Sequence, residues 1–413
     1  MKKNGMIYKF SFYGFLKNLR FFEPFIILLF REEGLSFFQI GLLYSIRDLT
    51  TNIIEIPSGI YADAFGRRKS MLLSFSAYII SFLVFYLFTG FYFFAGAMIF
   101  FAVGEAFRTG THKALILEYL NIKGLKNQKV SYYGRTRAAS QFGSAINSLI
   151  AAALVFYSGN YRYVFLATAL PYVLNLINLT TYPKELDGDL IQLKKGAISE
   201  QLKTTFKAFF AIFKDRDAMR AILNSASFTA FFKSTKDYLQ PVIKTLAISI
   251  PLFLSWSDTR RTAVIIGIVY FIIYMLTSYA SHSAEKVSKR FANIAKAINV
   301  TFWIGASFLF IAGLASWKSF GFLSVLVFLG LYIIHNLRKP MNVAFISDQI
   351  SNKVMASGLS VESQVTTILM VIISPLLGVL ADIFSVGVAL ACLGGIMFVF
   401  FAFVKVNEKL IIK

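Results

Sequence analysis

The sequence predicts an all-α integral membrane protein of twelve transmembrane helices in two six-helix bundles. Three observations carry that expectation. Of 413 residues, 57% are hydrophobic and only 15% charged, against about 45–50% apolar residues in soluble proteins. The apolar residues, 45 phenylalanines among them, gather into runs of about 20, the length that crosses a hydrocarbon core about 30 Å thick. The polar interruptions between these runs are short except for one, near the middle of the chain.

Taken in order, apolar runs bounded by turn residues and charge clusters place spans near residues 8–30, 36–62, 70–89, 91–115, 136–157, 161–181, 218–246, 262–282, 293–314, 320–338, 357–381 and 386–405. The first run is too long for a signal peptide and lacks a small-residue cleavage site, so it reads as a helix. The second and seventh are the least sharply defined, because each holds charges in its middle. The long polar segment 183–217 divides the chain into candidate domains 1–182 and 218–413. Within it Phe206, Phe209, Phe210 and Phe213 recur at helical spacing beside Lys203, Lys207 and Lys214. That pattern suits a helix lying in the membrane interface, or equally a plain tether.

The formal charge of +21 would need a contiguous water-exposed patch to signify nucleic-acid binding. Here the cations lie in short clusters between apolar runs, where they report orientation. With the N-terminus cytoplasmic, inside segments receive Lys2, Lys3, Arg67, Arg68, Lys69, Lys123, Lys126, Lys129, Lys194, Lys195, Lys286, Lys289, Arg290, Arg338, Lys339 and the tail from Lys405. Outside loops receive only scattered cations such as Arg31, Arg260, Arg261 and Lys318, so both termini are expected inside the cell membrane. The single Cys392 excludes an intramolecular disulfide, and three histidines without metal-ligand spacing predict no metal site. No phosphate-binding loop appears and no cofactor is expected.

After the second span comes Gly59-Ile-Tyr-Ala62-Asp63-Ala-Phe-Gly66-Arg67-Arg68-Lys69. This segment resembles the signature loop of the major facilitator superfamily, G-x-x-A-D-x-x-G-R-[RK]-[RK], in the turn where that family carries it. The resemblance covers the whole chain in architecture and about a dozen residues in pattern. It implies the twelve-helix fold of that family, a solute transporter of bacterial-permease type, and a conformational latch formed by Gly59, Asp63, Gly66, Arg67, Arg68 and Lys69. Physically, Gly59 would admit a close helix approach, Asp63 would accept hydrogen bonds from the loop arginines or a facing helix end, and Gly66 would permit the turn. The corresponding turn of the second half, Tyr279 to Lys286, keeps little of the pattern. The fifth span, Phe142-Gly143-Ser-Ala-Ile-Asn147-Ser148, lacks the G-P-x-x-G-G element of the family's drug/proton antiporters. A G-x-L-A-D echo from Gly378 to Asp382 reads as a helix terminus rather than a second latch.

Ionisable residues near the bilayer centre cost about 2.5–3.5 kcal/mol on insertion scales and normally face a bundle interior or a wet cavity. The first span carries Lys17, Arg20 and Glu23; the second Arg47, Asp48 and Glu55; the fourth Glu105 and Arg108; the seventh Lys233, Lys236 and Asp237; the eleventh Glu362. His335 lies toward one end of the tenth. Asp48, Asn52 and Glu55 share one helix face. In the resembled family the first, fourth, seventh and tenth helices line the central cavity. Candidate cavity residues are therefore Lys17, Arg20, Arg108, Lys233, Lys236, Asp237, Gln240 and His335 on those helices, with Arg47 of the second and Gln364 of the eleventh beside them, suited to an anionic or zwitterionic solute. Glu55, Asp48, Glu105 and Glu362 are the candidate proton carriers, Glu55 first because it lies deep in its span. The alternative is that these charges merely neutralise one another, as Arg47 with Glu55 or Arg108 with Glu105. The Lys233-to-Pro241 stretch predicts a helix broken at mid-membrane.

The expected partners are a small-molecule solute, protons and membrane lipid, with no nucleic acid and a monomeric state. A membrane-embedded transferase would need a base–carboxylate pair or nucleophile motif that His112 and His335 do not supply. A non-transporting receptor on the same scaffold is the third reading, since fold does not settle function.

Overall fold

The computed structural model describes residues 5–188, 190, 200, 203, 216–251, 253–349 and 355–408. The phenylalanine-rich pattern at 206–213 lies outside them. Every regular element among the described residues is helical: α1 (Gly5–Leu16), α2 (Ile26–Glu32), α3 (Phe37–Phe65), α4 (Arg67–Leu87), α5 (Phe91–Arg108), α6 (Thr111–Ile122), α7 (Lys129–Ser158), α8 (Tyr163–Thr180), α9 (Arg216–Thr235), α10 (Leu239–Ser249), α11 (Asp258–Ser288), α12 (Ile294–Trp317), α13 (Gly321–Gln349), α14 (Met355–Ile383) and α15 (Val386–Val404), with short 3-10 turns between some of them.

Nine helical segments among the described residues are long and apolar enough to cross a membrane. They correspond to the third to sixth and eighth to twelfth predicted spans. The other three depart for local reasons. The first is broken between Leu16 and Ile26, the second is a 29-residue helix diluted by Arg47, Asp48, Asn52 and Glu55, and the seventh is split by a 3-10 turn at Lys236–Tyr238.

The chain divides into two compact units: Met1–Leu29, Ile46–Gln201 and Ile266–Phe271 in the first, and Phe30–Ser45, Leu202–Ile265 and Ile272–Lys413 in the second. In the first unit α4 packs on α5 through small residues, which in lipid replace the hydrophobic drive that water would supply. Ser70, Ser74 and Ser81 donate to the carbonyls of Phe107, Gly104 and Ala97 at 3.0, 2.6 and 2.7 Å. A Cβ at Gly104 would lie 2.8 Å from the Tyr78 ring, so only glycine admits that tyrosine.

In the second unit Gly313, Gly387 and Gly394 let α12 and α15 meet backbone to backbone. The first turns of α3 dock on α14 in the same way at Gly41 and Gly378. There Asp382 accepts from the Phe37 and Phe38 amides at 2.9 and 2.8 Å, capping α3 from another helix. The echo of the signature is thus a helix terminus that also holds a neighbouring one.

Several of the cations used to read orientation lie within helices. Arg338, the last residue of the tenth predicted span, and Lys339 after it lie inside α13, and Arg338 is 1% exposed. Lys129 opens α7 and Lys286 lies in the last turn of α11. Arg261 is 7% exposed, its guanidinium bonded to the Ile248 and Ile250 carbonyls. Each of these helices runs beyond its apolar stretch.

Candidate functional site

The first unit builds a buried charge network around the break in its first helix. Pro24 has no N–H to offer the Arg20 carbonyl, so the helix cannot run through it. That carbonyl is met instead by the Glu23 amide at 3.0 Å and by Asn147 Nδ2 at 3.2 Å. Asn18 Nδ2 donates to the Ser140 carbonyl at 2.7 Å, and the Tyr172 hydroxyl to the Lys17 carbonyl at 3.0 Å. Irregular backbone at membrane depth is tolerated where neighbours satisfy it in this manner.

The broken segment presents Arg20 to α5. Its Nη2 donates to Glu105 Oε1 at 2.5 Å, and Arg108 Nη2 donates to the other carboxylate oxygen at 2.5 Å. Arg20 Nε reaches the Tyr172 hydroxyl at 2.7 Å and Nη1 reaches Glu23 at 3.2 Å, while Arg108 Nε meets the Tyr78 hydroxyl at 3.1 Å. The predicted cavity residues Arg20 and Arg108 therefore stand together with the candidate proton carrier Glu105, their charges largely matched, and Lys17 is close enough to feel all three. On α3 the expected Arg47–Glu55 pair does not form. Arg47 instead grips its neighbour Asp48 at 2.8 and 3.1 Å. Glu55 stands exposed on the helix surface with no ion pair among the described residues.

The second unit repeats the device. Pro241 sits in the first turn of α10, four residues after Asp237, and the 3-10 turn at Lys236–Tyr238 precedes it. The Lys236 carbonyl accepts from the Tyr332 hydroxyl at 3.0 Å, and Lys236 Nζ pairs with Asp237 at 2.9 Å. Gln240 is fully buried beside this turn.

A cavity of about 160 Å3 in this unit is lined from α9, α13 and α14 by Ser225, Lys233, His335, Arg338, Asn342 and Glu362 among others. The Ser225 hydroxyl donates to Glu362, and Asn342 Nδ2 donates to Ser225 Oγ at 2.9 Å. His335 stacks on Phe232 with ring centroids 3.9 Å apart. Lys233, His335 and Glu362 from the predicted set meet here, whereas Gln364 does not line the cavity.

The signature loop closes within the first unit. Gly66 has φ +104°, and a Cβ there would lie 2.7 Å from the Asp187 carboxyl carbon. Asp187 accepts the Arg68 amide at 2.7 Å, Arg68 Nη1 donates to the Tyr182 carbonyl at 2.9 Å, and Arg67 reaches Glu118 at 3.4 Å. Two expectations change. Among the described residues the Arg67 guanidinium is held by Glu118 and that of Arg68 by the Tyr182 carbonyl, while Asp63 and Lys69 are exposed. At Gly59 a Cβ would meet nothing within 4 Å, so the close approach occurs at Gly66 instead.

The chain matches the model of the Major Facilitator Superfamily over residues 12–363. It belongs to that superfamily. Among solved structures it is similar to a point mutant of the nucleoside transporter NupG, with a TM-score of 0.78 at 14% identity over 96% of this chain and 98% of that one. A POT family transporter in complex with a thioalcohol-conjugated peptide gives a TM-score of 0.72 at 15% identity, covering 96% and 95%. A POT family transporter with 5-aminolevulinic acid gives 0.73 at 14% identity, covering 96% and 95%. At these identities the likeness is one of fold. No curated protein matches the chain in sequence. As a superfamily member the chain is a multi-pass membrane transporter rather than an enzyme.

Sequence reasoning missed several residues of this member's clusters: Tyr78, Tyr172 and Asn147 in the first unit, and Ser225, Arg338, Lys339 and Asn342 in the second. Tyrosine and asparagine inside apolar runs were the available signal, because buried hydroxyls and amides seek partners. Pro24 carried the same message for the first helix that Pro241 carried for the seventh.

Proposed function

We propose that the protein is a secondary active transporter that moves a small anionic or zwitterionic solute through the cell membrane by alternating access, coupled to protons. The observation that carries this reading is the pair of broken helices. Each opens one of the predicted six-helix halves, 1–182 and 218–413 joined by 183–217. Each has a charged residue four positions before its proline, Arg20 before Pro24 and Asp237 before Pro241. Interrupted helices at corresponding places in two repeats are the best sequence pointer to a transporter's binding site. That a similar structure, a POT family transporter, is a complex with 5-aminolevulinic acid, a zwitterion, agrees with this charge pattern.

Proton coupling falls to carboxylates that no cation already neutralises. Asp48 is paired with Arg47 and Glu105 with two arginines. Glu55 and Glu362 have no ion-pair partner within 4.0 Å among the described residues and are the preferred carriers. The signature loop acts as the latch, both termini face the cytoplasm, and the transporter works as a monomer among lipids.

The test compares metabolites inside and outside cells expressing the wild-type chain, Glu55→Gln, Glu362→Gln or an empty vector. A solute that accumulates or drains only with the wild type supports the reading. A new modified compound, with no solute redistributed, overturns it.

A further inference from the structure

We infer that the cavity of the second unit, on α9, α13 and α14, receives the acidic group of the solute, a carboxylate or phosphate. This rests on the transporter reading and assigns one end of the solute to one unit.

Charge decides the ligand class. In the first unit Glu105 sits between Arg20 and Arg108, and Glu23 adds a second carboxylate to Arg20, so those guanidinium groups are already matched. In the second unit Arg338 and Lys339 line the cavity against one carboxylate among its described lining residues, that of Glu362. Arg338 is the clearest case. It is 1% exposed, yet every partner it has is neutral. Nη1 donates to the Ile298 carbonyl and, at 2.8 Å, to Thr301 Oγ1, and Nη2 donates to Asn224 Oδ1 at 2.7 Å. The guanidinium carbon lies 4.2 Å from the centre of the Phe228 ring. Its Nε–H has no acceptor among the described residues. A buried cation held only by neutral groups is costly unless an anion joins it. The carboxylate on the cavity wall, Glu362, is tied to Ser225 and forms no ion pair with it among the described residues.

Size decides how much of the solute enters. Pockets for whole ligands run to about 300–1,000 Å3, and this cavity holds about 160 Å3. It takes a charged head and leaves the remainder of the solute outside it. Glu362, on the same wall, opposes an anion while charged and ceases to oppose it once protonated, which would couple proton and acid entry.

The full-length protein, purified and held in phosphatidylcholine nanodiscs, is titrated with butyrate, inorganic phosphate and butylamine, and its thermal midpoint followed. Butyrate or phosphate is expected to raise the midpoint and butylamine not. Because Arg338→Gln risks misfolding, the deciding variants are Lys339→Gln and Glu362→Gln at the cavity rim. Lys339→Gln should weaken the anion about tenfold, equal to about 1.4 kcal/mol. Glu362→Gln should tighten it several-fold, which a merely structural role would not do. Equal response to butyrate and butylamine, or anion affinity unmoved in both variants, overturns the inference. So does a response only when anionic phosphatidylglycerol replaces part of the phosphatidylcholine, since the site would then hold a lipid headgroup. Solute flux in cells without anion binding sinks this inference alone. Anion binding without flux sinks the transporter reading and leaves the site standing.

Discussion

Replacing Glu105 by glutamine removes the charge that two buried guanidinium groups share. Arg20 and Arg108 each donate to it at 2.5 Å, and the side chains of the three residues are 15%, 19% and 20% exposed for Arg20, Arg108 and Glu105. Removing one partner of a buried pair costs about 3–5 kcal/mol, because the other charge is left uncompensated. Partial exposure and the remaining amide oxygen place Glu105→Gln at the lower end, about 3 kcal/mol, or about two orders of magnitude in the folding equilibrium. The assay is reversible unfolding of the purified chain by titration with a denaturing detergent, followed by tryptophan fluorescence. The double variant Glu105→Gln/Arg108→Gln supplies the control. It removes one stranded cation along with the carboxylate and should recover about 1–2 kcal/mol of the loss, within the usual range for residues in contact. A single variant as stable as the wild type, or a double variant that loses the sum of its parts, would refute the network.

Other consequences follow from the same contacts. Tyr172→Phe strips the acceptor for Arg20 Nε and the donor to the Lys17 carbonyl, and should cost about 1–3 kcal/mol in the same titration; no loss would mean that water replaces the hydroxyl freely. Asp382→Ala uncaps the two first amides of α3 and should cost about 1 kcal/mol, visible as faster hydrogen exchange at Phe37 and Phe38. Unchanged exchange there would dismiss the cap. Gly66→Ala meets both a left-handed backbone, φ +104°, and the Asp187 carboxylate, so it should destabilise by at least about 1–2 kcal/mol. Gly59→Ala, with open space around it, should be nearly silent, and equal losses at the two glycines would contradict the distinction.

The fold was legible because lipid imposes length and hydropathy on every span, and because Gly59 to Lys69 combine shape and charge at fixed spacing. The seventh-helix break was legible from Pro241 and the charges before it. The first-helix break was not, because the phenylalanines around Pro24 make an apolar run that outweighs one proline. The burial of Arg338, at the end of its predicted span, was not legible either, because only the tertiary fold supplies the Ile298 carbonyl, Thr301 and Asn224 that hold it inside. Pairing was the least legible feature. Arg47 and Glu55 lie eight residues apart on one helix, about 12 Å along its axis, beyond the i,i+3 and i,i+4 reach of side-chain pairs, and Arg47 pairs with Asp48 instead. The signature loop found Asp187 at the Arg68 backbone amide and Glu118 at the Arg67 guanidinium, 119 and 51 positions away in sequence.

The most direct test of the central claim uses proteoliposomes of the purified full chain, incubated in a cellular metabolite extract with and without an imposed pH gradient. Their lumen is then analysed by mass spectrometry against protein-free liposomes. The account predicts that at least one small solute with an acidic group appears in the lumen chemically unchanged, and exceeds its external concentration only when the gradient is present. A lumen indistinguishable from that of protein-free liposomes, or one enriched only in neutral or cationic solutes regardless of the gradient, would contradict it.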